Sequence, residues 1–195
     1  MTARRAALER RTSETTVRVE LDLDGAGKRS LATGIGFLDH LLDTLACHAG
    51  WDLALTCQGD LQVDDHHTAE DCALALGQAL DRCLGERRDL ARFGQAFAPL
   101  DESLARAVVD LATRPHATVA LGLVRERLGE LSCENLPHLL RSLAVAARFT
   151  LHVDVLRGEN DHHRAEAAVK ALALALRQAT AAIPVATANT TKGVL

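Results

Sequence analysis

The chain has 195 residues, 48% of them hydrophobic, and a net charge of −4. That length suits one compact unit or two halves of about 100 residues each. The charge argues against a nucleic-acid binder, which normally carries a basic excess; no apolar run approaches the ~20 residues that span a bilayer, and the Arg-rich residues 1–12 lack the apolar core of a secretory signal.

Packing must come from Ala, Leu and Val, because aromatic residues are limited to Trp51 and four Phe, with no Tyr. Elements built from such residues can sit close together. The five cysteines are odd in number and lack CxxC spacing, which fits reduced thiols in a cytoplasmic protein and disfavours finger-type zinc.

In chain order, residues 16–23 alternate at period two, as a half-buried strand does. Asp24, Gly25 and Gly27 make a turn, and residues 28–33 read as the return strand. Glycines 34 and 36 break the chain. Phe37, Leu38, Leu41, Leu42 and Leu45 then follow helical spacing. Residues 52–58 read as a strand and 68–84 as an amphipathic helix. Residues 85–98 read as a linker, with the run Glu86-Arg87-Arg88-Asp89 as solvated surface. Beyond it come strands at 107–111 and 118–123, a helix at 136–147, a strand at 150–156 and a helix at 165–182.

The second half echoes the first. At an offset of 96, Asp65-His66-His67 falls on Asp161-His162-His163, and Ala69-Glu70 falls on Ala165-Glu166. At an offset of 98, His40-Leu41-Leu42 falls on His138-Leu139-Leu140; earlier still, the alternation of residues 17–23 matches that of 117–123. Several matches in one order indicate an internal duplication. The expected fold is an α/β sandwich of two similar halves, 1–92 and 93–195, each a small sheet covered on one face by helices.

The repeated motif suggests metal binding. Residues four apart share a helical face, so His66 and Glu70 can grip one ion, and His162 and Glu166 another. His67 and His163 point roughly 100° away around the axis and suit the second ion in each case. Pseudo-symmetry then gives one metal His66, Glu70, His138 and His163, and the other His162, Glu166, His40 and His67. Taken singly, such histidines would be polar residues at a helix start; two copies in register, with paired upstream histidines, favour ligands. Three imidazoles and a carboxylate suit Mn, Fe, Co, Ni or Zn and are poor for Mg or Ca.

These residues belong to longer runs. Arg11-Thr12-Ser13-Glu14-Thr15, Thr33-Gly34-Ile35-Gly36-Phe37-Leu38-Asp39-His40, Asp64-Asp65-His66-His67-Thr68-Ala69-Glu70-Asp71, Leu100-Asp101-Glu102-Ser103-Leu104, Gly158-Glu159-Asn160-Asp161-His162-His163-Arg164-Ala165-Glu166 and Thr191-Lys192-Gly193-Val194-Leu195 span the chain from residue 11 to its end. In these runs the sequence resembles the imidazoleglycerol-phosphate dehydratase family, in its monofunctional form. The resemblance implies halves of the ribosomal-protein-S5-domain-2 type and 24 chains in an octahedral shell, with metal sites where chains meet. It implies two Mn²⁺ per active site and loss of water from imidazole glycerol phosphate, giving imidazole acetol phosphate in histidine biosynthesis. The expected route runs through a metal-held imidazolate and a diazafulvene-like intermediate.

The resemblance also implies roles. Glu14 becomes the candidate acid/base or substrate-contacting carboxylate, with Glu70 and Glu166 as ligands that could also move protons. His48 becomes a substrate contact beside the ligand residues. Arg92, Arg114 and Lys192, with the hydroxyls of Thr190 and Thr191, are expected to hold the phosphate, the last three from a small, polar C-terminal tail that closes over it. His116, His152, Asp101 and Glu102 read as structural. Departures from the family pattern are Val169, Pro137, Ala112-Thr113 and Thr190; none removes a ligand. A metal-storing shell and a dinuclear phosphate-ester hydrolase are the competing readings.

Overall fold

A computed structural model describes residues 4–87 and 89–183. In the first half the strands are β1 (Arg5–Arg11), β2 (Thr15–Asp22), β3 (Arg29–Ala32) and β4 (Asp52–Gly59), and the helices are α1 (Gly36–Ala49) and α2 (His66–Leu84). Their sheet runs β1-β2-β4-β3. The second half holds β5 (Phe93–Leu100), β6 (Ser103–Asp110), β7 (His116–Ala120), a small hairpin of β8 (Arg127–Leu128) and β9 (Leu131–Ser132), then α3 (Asn135–Ala146), β10 (Thr150–Arg157) and α4 (Asp161–Ala179). Its sheet runs β5-β6-β10-β7, the same topology.

Several expectations are corrected. Residues 28–33 do not return along β2: β3 pairs parallel with β4, Leu31 opposite Leu55, because α1 intervenes as the crossover. Residues 85–98 are not all linker, since β5 begins at Phe93. Phe93 and Phe97 point outward and are exposed, which blurred the strand's alternation. The strand β1 was missed: it is Arg-rich and edge-positioned, and its Ala6 and Leu8 are only partly buried, a composition typical of protected sheet edges. The counterpart of β2 is β6, not residues 117–123. The two strands carry the same burial pattern, and Thr15 corresponds to Ser103, an offset of 88. Arg87, read as solvated surface, is fully buried. Its guanidinium donates to the Leu111, Ala147 and Arg148 carbonyls and pairs with Asp81, tying α2 to the second half.

Each sheet is covered by its own helices, and the helices of one half pack on those of the other: α1 against α4, and α2 against α3. The core is one continuous cluster of mostly Ala, Leu and Val. Small residues set the spacing. A Cβ on Gly77 would lie 2.6 Å from the Ala146 Cβ and 2.8 Å from the Leu143 carbonyl oxygen, so α2 and α3 meet backbone to backbone there. Pro137 is the third residue of α3, where a missing N–H leaves no intrahelical acceptor unpaired. Among the described residues no helix is long and apolar enough to cross a membrane.

Candidate metal centre

The start of α2 is fastened to the start of α3. The buried carboxylate of Asp65 accepts hydrogen bonds from the Ser132 N–H (2.6 Å), the Ser132 hydroxyl (2.8 Å) and the Asn135 amide (3.0 Å). Burial pushes the Asp65 carboxyl up, but these donors outweigh it and the net shift is downward. With its amide nitrogen donating to Asp65, Asn135 turns its oxygen to His66 Nδ1, 2.9 Å away. That contact puts the proton on Nδ1 and leaves His66 Nε2 as a lone-pair donor. One turn into α3, His138 reaches back, its Nε2 2.8 Å from Glu70 Oε1. The His66 and His138 rings stack at 5.0 Å. One ligand atom each from His66, Glu70 and His138 lies within 4.8 Å of the others.

The α1–α4 contact builds the second cluster. His40 Nε2 lies 3.0 Å, and His162 Nε2 3.2 Å, from the same Glu166 oxygen. The three ligand atoms again fall within 4.8 Å. Asn160 accepts from the His162 N–H at 2.9 Å, capping α4. The buried Asp161 accepts from the Val124 and Arg125 N–H groups at 2.8 and 2.6 Å. Burial pushes the Glu166 carboxyl up, but Lys170, 2.9 Å from its other oxygen, and His40 bring it down to about 2. It is therefore an anion at neutral pH, as a ligand must be. Each cluster thus takes a His/Glu pair from one half and an upstream histidine from the other, as pseudo-symmetry suggested.

His67 and His163 do not join either cluster within this chain. His67 Nδ1 lies 3.0 Å from Asp60 Oδ2, and its Nε2 is 3.6 Å from Glu14 Oε1. His163 Nδ1 lies 2.7 Å from Glu102 Oε2, and its Nε2 is 3.8 Å from Asp101. Each imidazole is raised from its ordinary value, first by that carboxylate at Nδ1. A carboxylate on Nδ1 is the usual support behind a ligating Nε2. Glu102 also accepts from the Asn160 and Glu159 N–H groups at 2.9 and 3.1 Å. The Asn160 contact first, then His163, hold it well below the usual carboxylate range.

Residues 33–176 match the family model described as Imidazoleglycerol-phosphate dehydratase. The chain belongs to the imidazoleglycerol-phosphate dehydratase family. Among curated dehydratases it is 56% identical to that of Trichoderma harzianum, over 89% of this chain and 95% of that one. It is 49% identical to that of Saccharomyces cerevisiae over all of both chains. Among solved structures, the dehydratase of Staphylococcus aureus aligns with a TM-score of 0.81 at 33% identity, covering 91% of this chain and 99% of that one. The enzyme of Pyrococcus furiosus, solved in complex with (S)-C348, gives 0.83 at 36%, covering 96% and 100%.

The other residues that the dehydratase resemblance singles out are dispersed in the single chain. Arg92 has a left-handed backbone (φ 69°) and grips Asp110 through two nitrogens, at 2.7 and 3.2 Å, over the Phe93 ring. The Arg114 side chain is exposed, while its carbonyl accepts from the Thr150 hydroxyl at 3.0 Å. His48 lies in the last turn of α1, about 12 Å of helix rise from His40. Thr190, Thr191 and Lys192 lie outside the described residues. His116 and His152 face each other at 5.7 Å, away from both clusters.

Sequence reasoning missed Asp60, Asp65, Asn135 and Asp161, and it read Glu102 as structural without finding its partner His163. The Asp before each His-His was a usable signal, because it recurs in both copies. Glu102 occupies the place of Glu14 at an offset of 88, in the turn before Ser103 as Glu14 precedes Thr15; pairing the wrong strands concealed this. Asp60 and Asn135 carry no repeat and become visible only in the fold.

Proposed function

We propose that each three-ligand cluster holds one divalent transition-metal ion, and that the pair serves the dehydration of imidazole glycerol phosphate. Family membership makes the chain a lyase of histidine biosynthesis acting on that substrate. The observation that carries the two-metal reading is the convergence of two imidazoles and one carboxylate at each of two places. The donor set fits a borderline transition metal, and the resemblance favours Mn²⁺. When bound, the metals supply an anchor for the substrate ring nitrogens and favour the ring's deprotonated form.

The remaining chemistry belongs to side chains. The hydroxyl to be expelled lies on the carbon attached to the ring and the hydrogen to be removed on the next carbon, so an acid/base must stand close to the ring site. Glu14, exposed and 3.6 Å from His67 Nε2, is assigned that role. Glu70 and Glu166 hold their clusters and can pass protons secondarily. The phosphate falls to Arg92, Arg114, Lys192 and the hydroxyls of Thr190 and Thr191, with His48 as a further substrate contact. Supported Nε2 atoms on His67 and His163, facing away from the clusters of their own chain, favour metal shells completed across subunit contacts, in keeping with a 24-chain shell. Five free cysteines support a reducing, cytoplasmic setting.

The test is to strip the protein of metal, reload it with Mn²⁺ and incubate it with imidazole glycerol phosphate. Metal-dependent ketone formation without release of inorganic phosphate is expected, with two ions per chain by elemental analysis. Released phosphate would instead indicate a hydrolase, and tight metal uptake without turnover a storage protein. Light scattering of the loaded protein checks the 24-chain mass.

A further inference from the structure

Asp71 follows Glu70 on α2 but points into the protein, where it is 5% exposed. Its Oδ2 lies 2.6 Å from Arg10 Nη1, accepts a short hydrogen bond from the Thr15 hydroxyl and lies 3.5 Å from the Thr12 hydroxyl. The Thr12 oxygen accepts from the Glu14 N–H at 3.1 Å and the Thr15 N–H at 3.0 Å. The Thr12 N–H donates to the Thr15 carbonyl at 3.0 Å. One carboxylate on the helix of His66, His67 and Glu70 therefore holds the turn that carries Glu14. We infer that Asp71 is a positioning residue, fixing the Glu14 backbone so that its carboxylate stands beside His67 with no holding duty of its own.

The second half supplies the contrast that separates this from simple stapling of a turn. At the position of Asp71 it has Ala167. There the glutamate of the turn, Glu102, does the holding itself, through the Glu159 and Asn160 N–H groups and His163. A glutamate so fixed is not available to carry a proton. In the first half the task passes to Asp71, and the carboxylate of Glu14 is released from it. Apolar packing already joins α2 to β1 and β2, so the buried ion pair and hydroxyl contacts are not needed merely to keep the elements together.

The inference rests on the reading of Glu14 as acid/base, and the experiment separates the two. Asp71→Ala, Thr12→Val, Thr12→Ser, Glu14→Gln and Asp71→Ala with Glu14→Gln are compared for kcat, KM, metal per chain and thermal midpoint. Misplacing a catalytic group by about 1 Å costs on the order of 100-fold, so Asp71→Ala should lower kcat about 10- to 100-fold. KM and the two metals per chain should hold. Thr12→Val should move kcat in the same direction and Thr12→Ser should restore it. In the Glu14→Gln background Asp71→Ala should add less than about twofold, because coupled residues are non-additive. Undiminished kcat in Asp71→Ala and Thr12→Val, or the same further loss without Glu14, overturns the positioning role while leaving that of Glu14 intact. Full activity of Glu14→Gln overturns both. If Asp71→Ala does not fold, the nearly isosteric Thr12→Val decides.

Discussion

Glu14 and Glu102 occupy the same turn of two sheets with the same strand order, yet one is exposed beside an imidazole and the other is fixed by two backbone N–H groups and a histidine. The flanking strands share one burial pattern. The two ligand clusters also match in composition but not in surroundings. Glu166 has Lys170 one turn along its helix, whereas Glu70 has Leu74 there. A duplicated scaffold thus keeps the His/Glu geometry symmetric, as the proposed pair of ions requires, while the groups around it diverge, as the proposed proton transfer requires. Symmetric residues should therefore respond alike to substitution, and the diverged ones unlike.

The largest effect should be symmetric. His66→Ala and His162→Ala each remove one of the three proposed ligands from a cluster. A metal's contribution of several kcal/mol corresponds to a loss of about 10³-fold or more in kcat/KM, with about one ion missing per chain. Elemental analysis beside turnover checks this. Near-normal turnover in either variant alone would break the idea of two equivalent ions.

The next effect should be asymmetric. Glu14→Gln should lower kcat on the order of 100-fold or more with both ions retained. Glu102→Gln should instead weaken metal binding by about 10- to 100-fold, the usual result of removing the carboxylate behind a ligating imidazole. Turnover in that variant should recover with excess Mn²⁺, whereas no metal concentration should rescue Glu14→Gln. Metal titrations of both variants test it. Rescue of both, or of neither, would show that the two turns are not specialised.

Much of this was legible in the sequence because a helix writes its partners at fixed spacing. His66 with Glu70, and His162 with Glu166, follow from a four-residue step, and the cross-half pairing with His138 and His40 followed from the duplication. What escaped was decided by tertiary contact. Arg87 looks solvated in a charge run but is buried against three carbonyls that come from distant turns. The edge strand β1 shows weak alternation because only part of one face is covered. The matching of 117–123 to 17–23 failed because both alternate, and alternation alone cannot tell a central strand from an edge strand. The destinations of His67 and His163 could not follow from a single helix, since a direction of about 100° around its axis does not say what stands there.

The smallest effect concerns the aspartates that open the two motifs. Asp65 joins α2 to α3 across the halves, whereas Asp161 joins α4 to the loop after β7 in its own half. In both, burial pushes the carboxyl up but the donated hydrogen bonds prevail, leaving it below its ordinary value. A carboxyl depressed in the folded state contributes stability that is fully present above the unfolded-state value of 3.8. As pH falls further, the unfolded chain takes up the proton first, and the contribution is lost towards the folded value. Metal-free protein unfolded by urea should therefore lose stability more steeply below pH ~4 than Asp65→Asn or Asp161→Asn, neither of which can titrate there. At neutral pH each variant should be destabilised by about 1–3 kcal/mol, the cost of a weakened acceptor among buried donors. Because only Asp65 spans the halves, Asp65→Asn should also reduce cooperativity and separate the unfolding of the two sheets. An equal and fully cooperative loss in both variants would mean that the Asp65 hydrogen bonds do not couple the halves, leaving that to helix packing and the Arg87 contacts.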